Sequence, residues 1–198
     1  MRLFFTLLMI ISSISISAQE TNFGVRGGLN FSNFFASEPD DTNLRTGFNL
    51  ALTTRASLVE DVLYLKSELG YSGKGSRVES SLGDANLNLG YVDLPLMMSV
   101  GFADLIYIDA GAYLGYLASA SVSGETSGGS SFNESISRSD FSKIDYGWVL
   151  GANLELNPFV VGIRYNYGLQ NIIDNDVADF LGTRARNSVF QIYVGFSF

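Results

Sequence analysis

Alternation of apolar residues with polar or small ones, at a period of two, is the feature that most limits how this 198-residue chain can fold. A period of two is that of a β-strand, whose successive side chains point to opposite faces. The clearest case is residues 189–198, where one face is uniformly apolar: Phe190, Ile192, Val194, Phe196 and Phe198. The pattern recurs from Phe23 onward in about eight segments of roughly ten residues, so we predict an all-β chain.

Such alternation occurs both in water-soluble sheets and in transmembrane barrels, and three further features favour the barrel. Tyr and Trp residues lie near the ends of the apolar faces, as in the aromatic girdles of outer-membrane barrels. The opposite faces mix glycine with charge, which suits a narrow lumen, and the connections alternate short with long. We therefore predict a transmembrane, up-and-down antiparallel β-barrel of about eight strands in a bacterial outer membrane. A soluble lipocalin-like barrel is the alternative architecture.

The alternation of connection lengths also predicts which end of the barrel faces outward, because outer-membrane barrels have short periplasmic turns and long extracellular loops. The short connections are residues 57–62, 101–105 and 156–158. The long ones are residues 32–45, 74–88, 119–145 and 168–188. The Ser- and Gly-rich residues 121–135 are predicted to be mobile. Pro95 lies inside a predicted strand and cannot donate to the ladder, so we expect a local bulge there.

The N-terminal segment has the three parts of a secretory signal peptide. Arg2 supplies the basic part, residues 3–11 are apolar, and small residues follow up to Ala18. The apolar run is shorter than the roughly 20 residues that a spanning helix needs. We predict cleavage after Ala18, with Ser17 as the alternative, so that residues 1–18 are the signal peptide and residues 19–198 the barrel domain.

The composition excludes several classes of function. The chain has no cysteine and no histidine, which excludes disulfides, thiolate metal sites, serine–histidine triads and ordinary zinc sites. Its formal net charge of −8 makes nucleic acid an improbable partner, because phosphate backbones bind basic patches. An acid-only or serine–lysine enzyme is not excluded, but no spacing indicates one. We therefore predict no catalytic residues and no cofactor.

The predicted lumen faces carry charged residues of both signs in equal number. They are Arg26, Arg55, Lys66, Glu68, Asp93, Asp109, Glu155 and Arg164. An unpaired charge in a low-dielectric lumen is costly, so these groups should form ion pairs. An eight-stranded barrel is only wide enough for side chains to fill it, which favours a salt-bridged plug. An ion path or a proton-coupled site is the alternative.

The predicted long loops are acidic. Their carboxylates are Glu38, Asp40, Asp41, Glu125, Glu134, Asp140, Asp174, Asp176 and Asp179. The sequence 174–176 (Asp-Asn-Asp) could bind calcium through oxygen ligands, but it lacks the glycine and distal glutamate of an EF-hand loop. Solvated surface charge is the favoured interpretation, and no metal site is predicted.

Three segments resemble a known family. Residues 23–32 (FGVRGGLNFS) resemble the opening strand of the outer-membrane β-barrel domain common in Bacteroidetes, whose members are often called porin-family or PorT-like proteins. Residues 65–75 (LKSELGYSGKG) resemble its third strand, and residues 91–96 (YVDLPL) resemble a strand in which this proline is usual. The resemblance implies an outer-membrane barrel over the whole mature chain and is barely specific for activity. The porin label of the family suggests a solute channel, and a role as an accessory barrel of a secretion system rests on the resemblance alone.

The terminal Phe198, with Phe196 and Val194 on the same face, is similar to the signal that barrel-assembly machinery recognises. The expected partners are therefore this machinery, during insertion, and outer-membrane lipids. We expect a barrel with a charge-paired, non-conducting lumen and a structural or interaction role through its outer loops, whose extracellular partner the sequence does not identify. A narrow solute channel is the main alternative.

Overall fold

A computed structural model describes residues 21–36, 42–80, 83–103, 105–126, 131–135, 141–172 and 185–198. The predicted signal peptide at residues 1–18 and the calcium candidate at residues 174–176 lie outside these ranges. So do the loop carboxylates Glu38, Asp40, Asp41, Asp140 and Asp179.

The described residues form eight long strands and two short ones, β2 and β7. The strands are β1 (Thr21–Ala36), β2 (Thr42–Asn43), β3 (Arg45–Val59), β4 (Leu63–Ser80), β5 (Gly83–Phe102), β6 (Ile106–Thr126), β7 (Ser131–Ser135), β8 (Ile144–Leu156), β9 (Phe159–Gly168) and β10 (Ala185–Ser197). The long strands pair antiparallel with their neighbours in chain order, and β1 pairs with β10 from Gly24↔Ser197 to Ala36↔Ala185. This pairing closes the sheet, which confirms the predicted eight-stranded antiparallel barrel. No helix in the described part of the chain is both long and apolar enough to cross a membrane.

The barrel wall is apolar outside and polar inside, the reverse of a soluble protein. On β3, Phe48 and Leu50 are 59% and 60% exposed, whereas Asn49 and Ala51, which alternate with them, are buried. The same alternation runs along β8 and β9. A wall of exposed aliphatic and aromatic side chains is stable only against lipid, so the sequence pattern reports a membrane-facing surface.

Aromatic side chains mark the two edges of the apolar band. Near one edge the rings of Phe159 and Phe196 lie 5.7 Å apart, and near the other Trp148 stacks on Tyr167 at 5.4 Å. Along β9 the two edges are eight residues apart, a rise of about 26 Å along the strand and about 20 Å along a barrel axis at the usual strand tilt. This spacing approaches the apolar band of roughly 25 Å that outer-membrane barrels present to lipid.

The strands extend unequally beyond this band at the end opposite the short turns. β4, β5 and β6 have 18, 20 and 21 residues, whereas β9 has 10. The β4–β5 ladder continues to the pair Ser80↔Gly83, and β7 pairs with β6. We call the outer parts of β4, β5 and β6, together with β2 and β7, the projecting sheet.

The projecting sheet corrects the predicted loop boundaries. Residues 74–80 and 83–88, predicted as a loop, are strands. So are residues 119–126 and 131–135 of the predicted loop 119–145, which include most of the stretch 121–135 predicted to be mobile. Their Gly, Ser and Asn content lowers β-propensity. Hydrogen bonds along an already formed hairpin nevertheless extend the ladder, and intrinsic β-propensity does not include the contribution of these bonds.

The expected bulge at Pro95 is absent. The β4–β5 ladder has the pairs Ser67↔Leu96 and Gly70↔Asp93 in one register, with a gap between them opposite the proline, and Pro95 pairs in register with Tyr113 on its other side. The prediction was wrong because proline removes only its own donor, and the pairs on either side hold the register. The irregularity of β5 lies instead at Gly90/Tyr91, where its register against β6 shifts.

Candidate functional site

The charged side chains that face the lumen form three groups, stacked from the end with short turns toward the projecting sheet. The mouth pair is Arg55 and Glu155. The central cluster is Arg26, Lys66, Glu68, Asp109 and Arg164. The outer cluster is Lys74, Asp93 and Asp145.

The mouth pair lies at the end of the barrel that carries the short turns. Arg55 Nη1 donates to Glu155 Oε1. The guanidinium lies 4.8 Å from the ring centre of Tyr64 and 4.9 Å from that of Tyr107. The two charged side chains are 16% and 18% exposed, so solvent reaches this pair. Two aromatic faces hold the cation in place while leaving it hydrated.

Glu68 is the centre of the central cluster. Arg164 donates to it through two nitrogens, at 2.8 and 2.7 Å, in the forked geometry that suits a carboxylate. Arg26 Nε donates to the same carboxylate at 2.8 Å. The side chains of Glu68 and Arg164 are each 1% exposed, so this carboxylate depends on its cations rather than on water.

Lys66 links Glu68 to the second carboxylate of the cluster. Its Nζ lies 3.0 Å from Asp109 Oδ2 and 3.9 Å from Glu68 Oε1. Asn153 Nδ2 also donates to Asp109 Oδ2, at 2.7 Å, and Asn153 Oδ1 accepts a hydrogen bond from the Tyr193 hydroxyl. The cluster is thus continuous from β1 through β4 to β6 and β8.

Tyr193 supports two of the three cations through its ring. The Arg26 and Arg164 guanidiniums lie 4.5 and 5.3 Å from its centre. The ring lies directly over Gly162, where an added Cβ would be 2.5 Å from the ring carbon Cζ. This close approach explains why glycine alternates with charge on the lumen faces: small residues make room for large ones across the barrel.

In the outer cluster the carboxylates outnumber the cations, whereas in the central cluster the cations outnumber the carboxylates. Lys74 Nζ lies 3.1 Å from Asp93 Oδ1 and 3.1 Å from Asp145 Oδ2. Asp145 Oδ2 also accepts hydrogen bonds from the Tyr113 hydroxyl at 3.0 Å and from Asn187 Nδ2 at 2.8 Å. Lys74 itself is fully buried, so its charge is balanced entirely by protein groups.

Neither buried cluster is neutral by itself. The central cluster has three cations and two carboxylates, whereas the outer cluster has one cation and two carboxylates. The charges cancel only when the two clusters are taken together. Because electrostatic interactions are long-ranged in a low-dielectric interior, each cluster stabilises the other.

A network of amides joins the two clusters. Asn49 Oδ1 accepts a hydrogen bond from Arg26 Nη1 at 2.6 Å, and Asn49 Nδ2 donates to Asn30 at 2.7 Å. Asn30 in turn donates to Ser72 Oγ at 2.9 Å and accepts from Gln191 Nε2 at 3.0 Å. Polar side chains therefore continue through the section between the charged groups.

An apolar cap lies beyond the outer cluster, toward the projecting sheet. It consists of Leu89, Tyr91, Leu117, Ala120 and Ile172, all buried, with Leu87 and Phe141 packed against them. Ile172 and Phe141 belong to the connections that flank β8 and β9, and these connections meet where Ser142 N donates to Ile172 O at 2.8 Å. The cap covers the charged groups from the end opposite the short turns.

The cavities in the middle of the barrel are small. Between the central and outer clusters lies one of about 20 Å³, lined among others by Glu68, Asp93 and Arg164. A cavity of that size holds about one water molecule. Three buried atoms of residues that line it make no hydrogen bond within the described structure, namely Arg164 Nε, Asn166 Oδ1 and Gln191 Oε1. One ordered water would fit both the space and these groups.

The structure places all eight predicted lumen charges in these three groups. The sequence analysis missed Lys74 and Asp145, because both were assigned to loops. The signal was present: Lys74 continues the inward series of Lys66, Glu68 and Ser72, and Asp145 precedes Gly147 on the inward face of β8. Extending the period-two pattern past the first glycines would have found both.

The residues of the predicted assembly signal lie on the outer wall of the last strand. Val194, Phe196 and Phe198 are all exposed. Phe198 N donates to Phe23 O at 2.8 Å, so the C-terminal residue closes the barrel against β1. Recognition by assembly machinery stays a prediction. Across the described residues, no three Asp or Glu side chains are grouped as metal ligands would be.

The fold and the filled lumen define a small outer-membrane β-barrel protein. A family model described as outer membrane protein beta-barrel domain matches residues 17–174, and the chain belongs to that family. Its location is therefore the outer membrane, and the end with short turns is the periplasmic end. No curated protein matches this sequence.

Solved outer-membrane barrels have the same fold. Neisserial surface protein A is 16% identical, with a TM-score of 0.50, covering 91% of this chain and all of that one. Ail, the attachment invasion locus protein of Yersinia pestis, is 17% identical over 91% of this chain and all of its own, with a TM-score of 0.47. OprG from Pseudomonas aeruginosa is 16% identical, with a TM-score of 0.47, over 89% of this chain and 95% of that one. At 16% identity, the likeness to Neisserial surface protein A shows the fold alone.

Proposed function

We propose that this protein is a non-conducting outer-membrane barrel with a structural or interaction role. The observation that carries the proposal is the filled lumen: two buried charge clusters, the amides between them and the apolar cap occupy its cross-section in succession. Ions that crossed it would have to displace buried, fully paired charges. Removing a partner from such pairs costs several kcal/mol, far above thermal energy.

The projecting sheet is the part of the molecule best placed to meet a partner outside the cell. On β5, eight residues from Gly83 to Gly90, a rise of about 26 Å along the strand, lie before Val92, the first exposed large apolar side chain of the strand in its described part. A plugged barrel that extends a sheet this far from the membrane serves as a rigid anchor for an external surface. The identity of the extracellular partner is open, and lipids of the outer membrane surround the wall.

Planar-bilayer recording of the refolded protein tests the proposal, with heat-modifiable gel mobility to show that the barrel is folded. We expect folded, inserted protein without discrete conductance steps. Reproducible single-channel steps from folded protein would contradict a plugged lumen.

A double variant with an opened lumen shows that the bilayer recording would detect conductance if it occurred. Glu68→Ala with Arg164→Ala removes one charge of each sign from the central cluster, so its net charge is unchanged while much of its volume is lost. We expect this variant, if folded, to conduct. The matched control is Arg55→Ala with Glu155→Ala, which empties only the solvent-exposed mouth and should remain silent.

A narrow solute channel is the second candidate, and the hydrated mouth pair is the observation in its favour. In that case neutralising Arg55 or Glu68 should change the ion selectivity of the current. Unchanged selectivity in both variants would count against a channel.

Within the family, we propose that the chain is of the porin-family or PorT-like kind found in Bacteroidetes, supported by the strand motif of residues 91–96. Accessory function in secretion would follow from that placement only by analogy. Deleting the gene and measuring which proteins reach the medium tests it, since an unaltered set of secreted proteins would reject the secretion role. We propose a non-enzymatic role, because Arg and Lys side chains engage the lumen carboxylates of the described residues in ion pairs.

The C-terminal residues Val194, Phe196 and Phe198 are proposed to be read by barrel-assembly machinery during insertion. Phe198→Ala should lower the amount of folded barrel in the outer membrane of living cells and leave refolding of the pure chain in detergent nearly unchanged. An equal loss in both settings would make Phe198 a stability residue rather than a signal.

A further inference from the structure

The periplasmic end of the lumen holds two adjacent chambers, which we call the vestibule. The outer chamber has a volume of about 280 Å³ and is lined by Tyr107, the 157–158 turn and the chain terminus. The inner chamber has a volume of about 40 Å³ and is lined by Arg26 and Lys66, among others. Both chambers share the lining residues Asn22, Arg55, Glu155, Val160 and Ser197. The mouth pair therefore stands at the boundary between them.

The inner chamber faces the cationic side of the central cluster. Arg26, Arg55 and Lys66 line it, with Glu155 as its one lining carboxylate in the described chain. The side chains of Arg26 and Lys66 are 8% and 10% exposed, whereas their partner carboxylates are 1% exposed or less. The carboxylates thus lie behind the cations as seen from the periplasm.

This arrangement leaves the vestibule with a positive wall. The central cluster has one cation in excess, and the carboxylates that compensate it, Asp93 and Asp145, lie on the far side of the lumen. Low-dielectric walls focus such a field into the cavity. Among the described residues, a group that enters from the periplasm would meet guanidinium and ammonium donors before any carboxylate except Glu155.

We propose that the vestibule is a binding site for a small anion, either a halide ion or the carboxylate group of a small organic acid, taken up from the periplasm. The inner chamber is large enough for two or three waters, and so for an anion of that size. Lys66 and Arg26 provide the inner wall of the site. Thr53 lines it with a hydroxyl group that can donate a hydrogen bond.

Arg55 is the residue that an anion would engage first. Its guanidinium has five N–H donors, of which Glu155 engages one in the structure, and the rings of Tyr64 and Tyr107 fix its position. An arriving anion competes with Glu155 for this cation. Glu155 is therefore a built-in competitor, and its removal should strengthen binding while the removal of Arg55 should weaken it.

NMR of the refolded chain in lipid nanodiscs tests the site, with sodium acetate and sodium chloride as separate probes. The ionic strength is held constant with sodium gluconate, whose anion is too large for the inner chamber. We expect a saturable shift of the Arg55 Nε–H resonance with at least one probe. A response to acetate identifies a carboxylate as the ligand, and a response to chloride identifies a halide ion.

Two variants give opposite predictions. Arg55→Gln should weaken binding about tenfold, the effect of losing one charge-assisted hydrogen bond, as read from the backbone amides of Tyr64 and Tyr107. Glu155→Gln should strengthen it severalfold. Arg186→Gln, at an exposed position on β10 outside the lumen, is the matched control and should change nothing.

A resonance shift that increases linearly with salt concentration for both probes would overturn the proposal. So would weaker binding in both Arg55→Gln and Glu155→Gln, because equal losses would mean that the mouth pair only maintains the structure of the vestibule. Since binding is measured without a current, these outcomes are independent of whether the lumen conducts.

Discussion

The central cluster and the mouth pair are built from the same residue types and differ in their access to water. Glu68 is held by Arg26 and Arg164 with almost no exposure, whereas Arg55 and Glu155 pair where solvent reaches them. A buried pair resists loss of one partner because the other charge is left in a medium that cannot solvate it. An exposed pair leaves its remaining partner to water. The same salt bridge is thus a structural element in the middle of the barrel and an exchangeable contact at its mouth.

The largest expected effect is that of Glu68→Gln. It leaves Arg26, Arg164 and Lys66 with Asp109 as the one carboxylate of their cluster, so the free energy of unfolding should fall by about 3–5 kcal/mol. Urea unfolding in detergent, followed by Trp148 fluorescence, measures it, with Glu155→Gln as the control. A loss below about 1 kcal/mol would mean that water already solvates the centre of the lumen.

Lys74→Met should come next, with a loss of about 3 kcal/mol. It leaves Asp93 and Asp145 facing each other, but Asp145 keeps its hydrogen bonds from Tyr113 and Asn187. The midpoint of the heat-induced gel shift of the folded barrel reports the change. Lys143→Met, at an exposed position, is the matched control. Equal midpoints for the two variants would place Lys74 outside the desolvated part of the lumen.

Tyr113→Phe tests the neutral contacts of the outer cluster. It removes one hydrogen bond to Asp145 and keeps the ring beside Lys74, so we expect a loss of about 1–2 kcal/mol. Tyr116→Phe, on the lipid-facing side of the same strand, provides the comparison in the same urea titration. If Tyr116→Phe lowers the free energy of unfolding by as much, the hydrogen bond from the Tyr113 hydroxyl to Asp145 does not stabilise the outer cluster.

The smallest expected effect is that of Arg55→Gln on stability. The mouth pair is solvated and Glu155 is left in contact with water, so the loss should stay below about 1 kcal/mol. Kinetic unfolding in urea, compared with wild type, resolves a difference of that size. A loss as large as that of Glu68→Gln would erase the distinction between mouth and centre, and with it the case for an exchangeable anion site.

Period-two alternation was sufficient to predict the strands, the apolar outer wall and the inward face of all eight predicted charges. It works because a membrane barrel requires every strand to present one face to lipid, so each segment carries the signal by itself. Lys74 and Asp145 were missed because the predicted strands ended at the glycines next to them, Gly73 and Gly147. Continuing the period-two pattern past these glycines places both side chains on the inward face.

The sequence by itself determined that this chain is a closed barrel with a charged interior, since the pattern of faces is local to each strand. Only the tertiary structure decided which charges meet. Arg164 and Glu68 lie 96 residues apart in the chain and form the best-paired contact of the lumen, and the positions of both depend on the register of every strand between them. Likewise, the exposed face of the central cluster is cationic because its carboxylates happen to lie behind it, an arrangement in space that no linear pattern records.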